Sequence, residues 1–279
     1  MQLWFTEKQT NNLAISMQVR QNLHREQSPY QDIAVLDTEE YGRLLVIDGA
    51  VMLTDADEFV YHELIAHLPM FTHGNVRRAA VIGGGDGGSI RELLRHSSLE
   101  EVYLFELDER VVRVCQEYFP KVSSGLTDPR VRLEFGDGIA RIAQFKEYFD
   151  LVIVDSTDPV GPGAVLFSQE FYSLVHQALS PGGLVVAQTE SPFVNRDIMA
   201  DSREKLAKVF PQTYVYLGAI PTYPSGLWSF TIGSKGPDPH KVDMDCVAQS
   251  IATWPLRYYS AQMHTQALTL PKFVQDIYR

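Results

Sequence analysis

The chain has 279 residues, of which 45% are hydrophobic, and its formal net charge is −11. This length suffices for one large domain or two unequal ones with a buried core. The negative charge disfavours nucleic acid and anionic lipid as main partners and suits a cationic substrate. Since acidity can also serve solubility alone, the positions of the charges have to decide between these interpretations.

The cysteine content and the first residues both indicate a cytoplasmic protein. Cys115 and Cys246 are isolated and lack the spacing of metal ligands, so a reducing compartment is expected. Residues 1–8 lack the basic and then apolar pattern of a secretory signal, and no apolar run is long enough to span a bilayer. We therefore expect neither a membrane nor a nucleic acid among the partners.

Residues 1–54 predict a small antiparallel β-domain. Apolar residues alternate along 12–19, which is the period of a half-buried strand. Three short apolar runs, at 33–36, 44–47 and 50–53, are separated by turn-forming segments typical of hairpins. Such a domain could cover a ligand crevice or mediate dimerisation, and the pattern does not choose between the two.

Residues 57–68 predict a helix. Apolar residues recur there at the spacing of one helix face, and Pro69 is expected to end the helix. Tyr61 and His62 on this helix could line a site. Periodicity alone favours a core tyrosine beside a surface histidine, so both interpretations stay open here.

Strand and helix patterns alternate through the rest of the chain, and 55–279 is predicted as one Rossmann-like α/β domain. Strands separated by helix-length segments indicate a doubly wound, mostly parallel sheet with right-handed crossovers. Two closing β-runs predict a hairpin that carries an antiparallel edge strand. The strands are predicted at 79–82, 102–105, 131–135, 151–154, 184–187, 214–217 and 228–232.

The segment Gly-Gly-Gly-Asp-Gly-Gly at 83–88, called the glycine turn below, joins a predicted strand to a predicted helix. This is the first unit of a nucleotide-binding fold, in which glycine lets a tight turn approach a ligand closely. Glu106, at the end of the next strand, is the acidic residue expected at a ribose. A carboxylate inside the turn, Asp86, opposes a pyrophosphate and favours a cationic ligand. The segment therefore indicates a positively charged nucleoside.

Four consecutive predicted strands each lead to a carboxylate. Ligands of open α/β sheets bind outside the carboxyl ends of the strands, so all four are expected at one rim. Glu106 fits a ribose and Asp137 fits an adenine amino group, which leaves two carboxylates for a cationic group. The four residues are Asp86, Glu106, Asp137 and Asp155.

The fourth strand is followed by a second carboxylate, Asp158, and a loop rich in proline and glycine. An alkylammonium group has a pKa of about 10 and must lose a proton before it can act as a nucleophile. Asp155 could accept that proton while Asp158 holds the amine. A calcium or magnesium site is the alternative, but EF-hand spacing is lacking and we expect no metal.

Three other function classes fit parts of this pattern. Gly83, Gly85 and Gly88 match the dinucleotide fingerprint of an NAD enzyme. The aspartate in the turn and the lack of a recognisable hydride-transfer site count against that class. A methyltransferase would share the first three strand ends and differ at the fourth. A nucleoside-binding protein without catalysis would not need the paired carboxylates after the fourth strand.

Longer motifs extend over nearly the whole chain. They are Tyr-Gln-Asp at 30–32, Leu-Val-Ile-Asp-Gly at 45–49, Asp-Glu-Phe-Val-Tyr-His-Glu at 57–63, the glycine turn, Gly-Asp-Gly at 136–138, the segment 155–162, and Pro-Thr-Tyr-Pro-Ser-Gly at 221–226. Together they resemble the polyamine aminopropyltransferases, and among them the bacterial spermidine synthases. The resemblance implies an N-terminal β-domain on a methyltransferase-like Rossmann domain, and a homodimer or larger homo-oligomer such as a tetramer.

The same resemblance implies the substrates and their binding residues. Decarboxylated S-adenosylmethionine and putrescine would give spermidine and 5′-methylthioadenosine, with no metal or other cofactor; methyl transfer from S-adenosylmethionine to a small cationic substrate is the alternative. The residues implied at the nucleoside are Gln31, Glu106, Asp137, Gly138 and Pro162, joined by Gly83 and Gly85 of the glycine turn. Those implied at the aminopropyl and polyamine groups are Tyr61, His62, Asp86, Asp158, Gln188 and Tyr223, with Asp155 as the proton acceptor.

Overall fold

Five strands near the N-terminus form an antiparallel meander in which each strand pairs with the next. The computed structural model describes residues 2–157 and 161–278, apart from the side chains of 161 and 162. Apolar side chains of the sheet, among them Ile33 and Leu45, pack against one helix of the α/β part. The strands are β1 (Leu3–Lys8), β2 (Ala14–Gln27), β3 (Asp32–Thr38), β4 (Gly42–Ile47) and β5 (Ala50–Thr54).

A second sheet of seven strands carries the α/β part of the chain. Its first five strands in chain order run parallel, and the last strand lies antiparallel to both of its neighbours. The strands are β6 (Arg78–Gly83), β7 (Glu101–Glu106), β8 (Val131–Phe135), β9 (Phe149–Asp155), β10 (Leu179–Gln188), β11 (Gln212–Ala219) and β12 (Leu227–Ser234). Their order is β11-β12-β10-β9-β6-β7-β8. The predicted closing hairpin is present, with β11 at the edge and β12 inside the sheet.

Helices cover both faces of this sheet, as the predicted doubly wound fold requires. Successive residues of β6 face opposite sides, with Val81 in one apolar core and Ala80 and Ile82 in the other. The helices are α1 (Glu58–His73), α2 (Gly88–Leu93), α3 (Glu109–Tyr118), α4 (Gly138–Ile142), α5 (Gln169–Ala178), α6 (Arg196–Val209), α7 (Met244–Ile251), α8 (Ala261–Ala267) and α9 (Lys272–Gln275). The helix that packs on the N-terminal sheet is α3.

The prediction that Pro69 ends the first helix was wrong, because Pro69 lies inside α1. Proline removes one helical hydrogen bond, but the residues on either side of it, Leu68 and Met70, are buried in the core. The helix ends at Gly74, whose left-handed backbone and N–H bond to the Met70 carbonyl form a typical C-cap. Tertiary packing therefore outweighs the local effect of the proline.

Other features of the fold also differ from the sequence patterns. The strand β1 was missed, and β2 continues through a polar stretch to Gln27, well beyond the predicted strand. Between Ser234 and residue 278 the structure has three short α-helices, rather than one or two. Among the described residues, no helix is long and apolar enough to cross a membrane.

Candidate active site

A cavity of about 210 Å³ lies at the carboxyl ends of the central parallel strands. Both sheets contribute to it, since its walls include residues of β4, β5 and β12 as well as the glycine turn. It brings together the predicted residues Gln31, Tyr61, His62, Gly83, Gly85, Asp86, Glu106, Asp137, Gly138, Asp155, Gln188 and Tyr223. Asp158 lies outside the described residues, and of Pro162 only the backbone is described, in a 3₁₀ segment at Gly161–Phe167.

The glycine turn is packed so closely on the neighbouring strands that no side chain can be accommodated at Gly83 or Gly85. Gly83 has a φ of 79°, and a Cβ there would lie 2.2 Å from the carbonyl oxygen of Asp155. A Cβ on Gly85 would lie 2.7 Å from Oε2 of Glu106. Glycine is therefore required so that the turn can pass between the carboxylates of β7 and β9.

Glu106 is buried at the end of β7, with a relative exposure of 8%. Its Oε1 accepts a hydrogen bond of 2.9 Å from the backbone N–H of Asp108, and the nearby N–H of Gly85 also favours the charged carboxylate. Burial raises the pKa of Glu106 to about 7, and the charges of Asp108 and Asp86 add to this effect. Its carboxylate is thus held ready for donors such as ribose hydroxyls.

Asp137 and Gly138 form the start of α4 on the same side of the cavity. Oδ1 of Asp137 accepts the N–H of Ile139 at 2.9 Å and caps the helix. A Cβ on Gly138 would lie 2.7 Å from Cγ2 of Ile82, so glycine again permits close packing. Gln31, on the segment between β2 and β3, also lines the cavity.

Asp155 receives hydrogen bonds on both carboxylate oxygens. The hydroxyl of Tyr61 donates to Oδ1 and that of Ser89 donates to Oδ2, each at 2.6 Å. Burial, followed by the charge of Asp86, raises the pKa of Asp155. A half-buried carboxylate with a raised pKa and fixed orientation suits proton acceptance.

Asp86 is paired with a histidine. Its Oδ1 accepts the N–H of Gly88 at 2.6 Å and lies 3.2 Å from Nε2 of His62. Burial favours a higher pKa for Asp86, but the His62 charge and these contacts outweigh it, and the pKa is lowered. The expectation of a surface histidine was wrong, since His62 has a relative exposure of only 2%.

Gln188 and Tyr223 line the cavity near β12 and β5. The amide nitrogen of Gln188 donates to the Ser156 carbonyl at 3.2 Å. The hydroxyl of Tyr223 donates to the carbonyl of Met52 at 2.6 Å, and its ring stands edge-on to Trp228 with centroids 4.8 Å apart. Tyr223 therefore connects the α/β part to β5 of the N-terminal sheet.

Several residues of the site were missed at the sequence level. Ser89 follows the glycine turn directly, and only the fold shows that its hydroxyl reaches Asp155. Glu58 bonds to His62, and its position four residues earlier in a predicted helix was a usable signal. Glu7, on β1, also lines the cavity. Within the described part of the chain, no cluster of three or more His, Cys, Asp or Glu residues is arranged to hold a metal ion.

Two family models match separate, non-overlapping regions of the chain. Residues 58–244 match the spermine/spermidine synthase domain, and residues 3–55 match the spermidine synthase tetramerisation domain. The chain belongs to the spermine/spermidine synthase family. The predicted membership of the polyamine aminopropyltransferases is therefore confirmed.

Similar proteins and structures agree with this assignment. The polyamine aminopropyltransferase of Thermoanaerobacter sp. (strain X514) is 48% identical over 278 residues, covering 100% of this chain and 99% of that protein. That of Moorella thermoacetica is 50% identical over 274 residues, covering 98% and 95%. A spermidine synthase in complex with the transition-state analogue AdoDATO gives a TM-score of 0.96 at 40% identity, covering 99% of this chain and 94% of the other. The spermidine synthase of Thermotoga maritima gives 0.94 at 39% identity, with the same coverage. The predicted fold and enzyme class are both confirmed.

The buried carboxylate of Glu106 predicts a stability difference that grows with pH. Its pKa of about 7 lies above the ordinary value of 4.5. Below about pH 4.5 the Glu106 side chain is neutral in both the folded and the unfolded protein. As pH rises from there to about 7, the unfolded chain ionises more readily than the folded one, and the free energy of unfolding falls by about 3 kcal/mol in total. Glu106→Gln stays neutral and avoids this loss. We expect the variant to gain on wild type in free energy of unfolding between pH 5 and pH 8, measured by urea denaturation.

A matched control is Glu134→Gln on the neighbouring strand β8. Glu134 is partly exposed and pairs with Arg141 at 3.4 Å. The difference between this variant and wild type should stay nearly constant over the same pH range. A constant difference for Glu106→Gln as well would contradict the raised pKa.

Proposed function

We propose that the protein transfers the aminopropyl group of decarboxylated S-adenosylmethionine to putrescine, forming spermidine and 5′-methylthioadenosine. The observation that carries this proposal is the convergence of Asp86, Glu106 and Asp155 on one cavity. A cavity lined by several carboxylates favours a cationic nucleoside and a cationic amine. The names of the similar proteins support the same reaction class.

At the nucleoside end, Glu106 accepts the ribose hydroxyls and Asp137 accepts from the adenine amino group. Gly83, Gly85 and Gly138 allow the nucleoside to lie against the backbone, and Gln31 and Pro162 complete its surroundings. The burial of Glu106 and its backbone donors support the first assignment. The sequence resemblance alone supports the role of Pro162.

At the amine end, the carboxylates of Asp86 and Asp155 attract the ammonium groups. An aromatic wall formed by Tyr61, Tyr223 and Trp228 suits the methylene chain of a diamine and can contact its charged ends. Gln188 lines the same region. Roles for His62 and Asp158 in amine binding rest on the resemblance.

The reaction follows from the charges. Asp155 accepts one proton from the incoming ammonium group, which restores the nitrogen lone pair. The nitrogen attacks the aminopropyl carbon beside the sulfonium, a nitrogen–carbon bond forms, and the carbon–sulfur electron pair leaves on a neutral thioether. Neither step needs a metal or redox cofactor. The contribution of the protein is to hold two cations close together in line and to remove the proton.

We also propose that the protein acts as a homo-oligomer, a tetramer rather than a dimer. The match of 3–55 to a tetramerisation domain supports this assembly. Leu3 and Trp4 on β1 and Leu13 just before β2 are 46–55% exposed, and such apolar side chains suit an interface. The cytoplasmic location stays a prediction from the sequence.

Incubation of the purified protein with decarboxylated S-adenosylmethionine and a panel of amines tests the reaction directly. Putrescine, cadaverine, agmatine and spermidine form the panel, and mass spectrometry identifies the products. We expect 5′-methylthioadenosine and spermidine, with putrescine as the best acceptor. Absence of 5′-methylthioadenosine with every amine would reject aminopropyl transfer, and a methylated amine from S-adenosylmethionine would favour a methyltransferase instead.

Asp155→Asn tests the proton acceptor. Asparagine preserves the size of the side chain and a hydrogen-bonding oxygen but cannot take up the proton. We expect kcat to fall by about 10²–10⁴-fold, with nucleoside affinity little changed. Asp150→Asn, the same substitution at the other end of β9, should keep kcat close to wild type. A near-normal kcat for Asp155→Asn would place the base elsewhere.

Asp86→Asn tests how ordinary S-adenosylmethionine is rejected. This molecule differs from the decarboxylated form by one α-carboxylate. If the aminopropyl arm lies over the glycine turn, that carboxylate approaches Asp86. Two like charges at ~4 Å repel by about 4 kcal/mol at an effective dielectric constant of 20, and a third of this is about tenfold in affinity. We expect the dissociation constant of S-adenosylmethionine divided by that of the decarboxylated form to fall about tenfold in the variant, as measured by calorimetry. An unchanged ratio would make the selection steric.

A further inference from the structure

His62 is held between two carboxylates. Its Nδ1 lies 2.6 Å from Oε2 of Glu58, and its Nε2 lies 3.2 Å from Oδ1 of Asp86. The pKa values of Glu58 and Asp86 are both lowered, and an ionised carboxylate only accepts hydrogen bonds, so each contact calls for a proton on the ring nitrogen. The geometry therefore describes an imidazolium with both N–H groups already engaged, rather than a neutral ring with a lone pair for a ligand.

Glu58 is in turn fixed by an arginine of α2. Arg91 donates to Oε1 of Glu58 at 3.1 Å and to Oε2 at 2.9 Å, a two-pronged contact. Its Nε also donates to Oε1 of Glu92 at 2.6 Å. Arg91, Glu58, His62 and Asp86 thus form a continuous series of charged groups with side-chain exposures of 3–17%, called the ion-pair network below.

The His62 ring offers almost no surface to an amine. Its side chain is 3% exposed, and a fixed cation at this place repels an ammonium group. In the described part of the chain, both polar contacts of Asp86 use Oδ1, which leaves Oδ2 for a ligand. The arrangement is suited to holding a carboxylate in place and poorly suited to binding the substrate through the histidine.

We infer that Glu58, held by Arg91, keeps His62 as a permanent cation. This cation positions the Asp86 carboxylate of the glycine turn instead of binding the amine. His62 is then a positioning residue for the proposed aminopropyl transfer, and the inference rests on that function for its kinetic consequences. The cation also offsets the charge of Asp86 at the proton acceptor. Without it, two uncompensated carboxylates would face each other across the amine site.

The charges around this group support the inference. Burial lowers the pKa of His62, but the carboxylates of Asp86 and Glu58 outweigh it and raise the pKa to about 10. The His62 charge lowers the pKa of Asp155, opposing the larger effects of burial and of Asp86. Titratable or charged groups around the pair come from α1, α2, α3, β7, β9 and the segment after β11; they are Glu58, Tyr61, Arg91, Cys115, Glu106, Asp155 and Tyr223.

An NMR titration of the imidazole tests the network without any assay of activity. In wild type, His62 should stay doubly protonated from about pH 5 to pH 9, far above its ordinary pKa of about 6.5. In Glu58→Gln its pKa should fall by about one to two units. Glu26→Gln removes another arginine-paired carboxylate, on β2, and should leave the titration unchanged. Titration of wild-type His62 near its ordinary pKa would overturn the inference even if the enzyme is active.

Kinetics distinguish positioning from amine binding once wild type has produced 5′-methylthioadenosine. With saturating nucleoside, His62→Gln should move the acid limb of kcat up by about one pH unit, since the acceptor loses a compensating charge. Adding Glu58→Gln to His62→Gln should cause no further shift, because Glu58 acts through His62. An unmoved acid limb with a raised KM for the amine alone would instead assign His62 to substrate binding. If wild type makes no product, the proposed function fails, and the titration still decides the state of His62.

Discussion

The structure depends on the close approach of the glycine turn to the strands on either side of it. In the sheet, Gly83 is the register partner of Asp155 on β9, and Ile82 is the partner of Phe105, the residue before Glu106 on β7. Parallel register therefore sets both carboxylates level with the start of the turn. A side chain at Gly83 or Gly85 would push the strands apart. Because the turn contains glycine at these points, the acidic groups and the backbone come to share one small cavity.

Such a concentration of buried carboxylates has an energetic cost, and the protein offsets it in several ways. Backbone N–H groups stabilise Glu106, hydroxyl groups stabilise Asp155, and an imidazolium stabilises Asp86. The raised pKa values of Glu106 and Asp155 indicate that the compensation is incomplete. In the proposed function a cationic ligand supplies the missing charge, so binding stabilises the site. The charge of the site and its proposed preference for cations thus have one cause.

Much of the fold could be predicted from the sequence because its elements are locally specified. Alternating strand and helix patterns predicted the parallel sheet, and the strands predicted at 102–105 and 131–135 correspond to β7 and β8. The failures occur where partners distant in sequence decide the outcome. The polar half of β2 forms a strand because β3 pairs with it, and Pro69 remains helical because the core holds both flanking residues. Local patterns contain neither kind of information.

The site shows the same division. Carboxylates at strand ends could be found from spacing, since the sheet geometry brings all strand ends to one rim. The burial of His62 could not, because a helical period does not reveal that α2 covers this side of α1. Ser89 was hidden for a related reason, since its partner on β9 lies 66 residues away in sequence. Contacts between elements that are distant in sequence were thus the feature of the site that could not be predicted.

The two halves of the cavity belong to different parts of the chain. The proposed nucleoside side is built from the glycine turn and the ends of β7 and β8, where close packing tolerates little change. The proposed amine side includes Met52 on β5 and Trp228 on β12, which meet through Tyr223. Exchange of side chains on β5 and β12 therefore alters the length and shape of the acceptor space while the donor side is kept. Such modularity allows acceptor preference to diverge within a lineage, or to be redesigned, without rebuilding the chemistry.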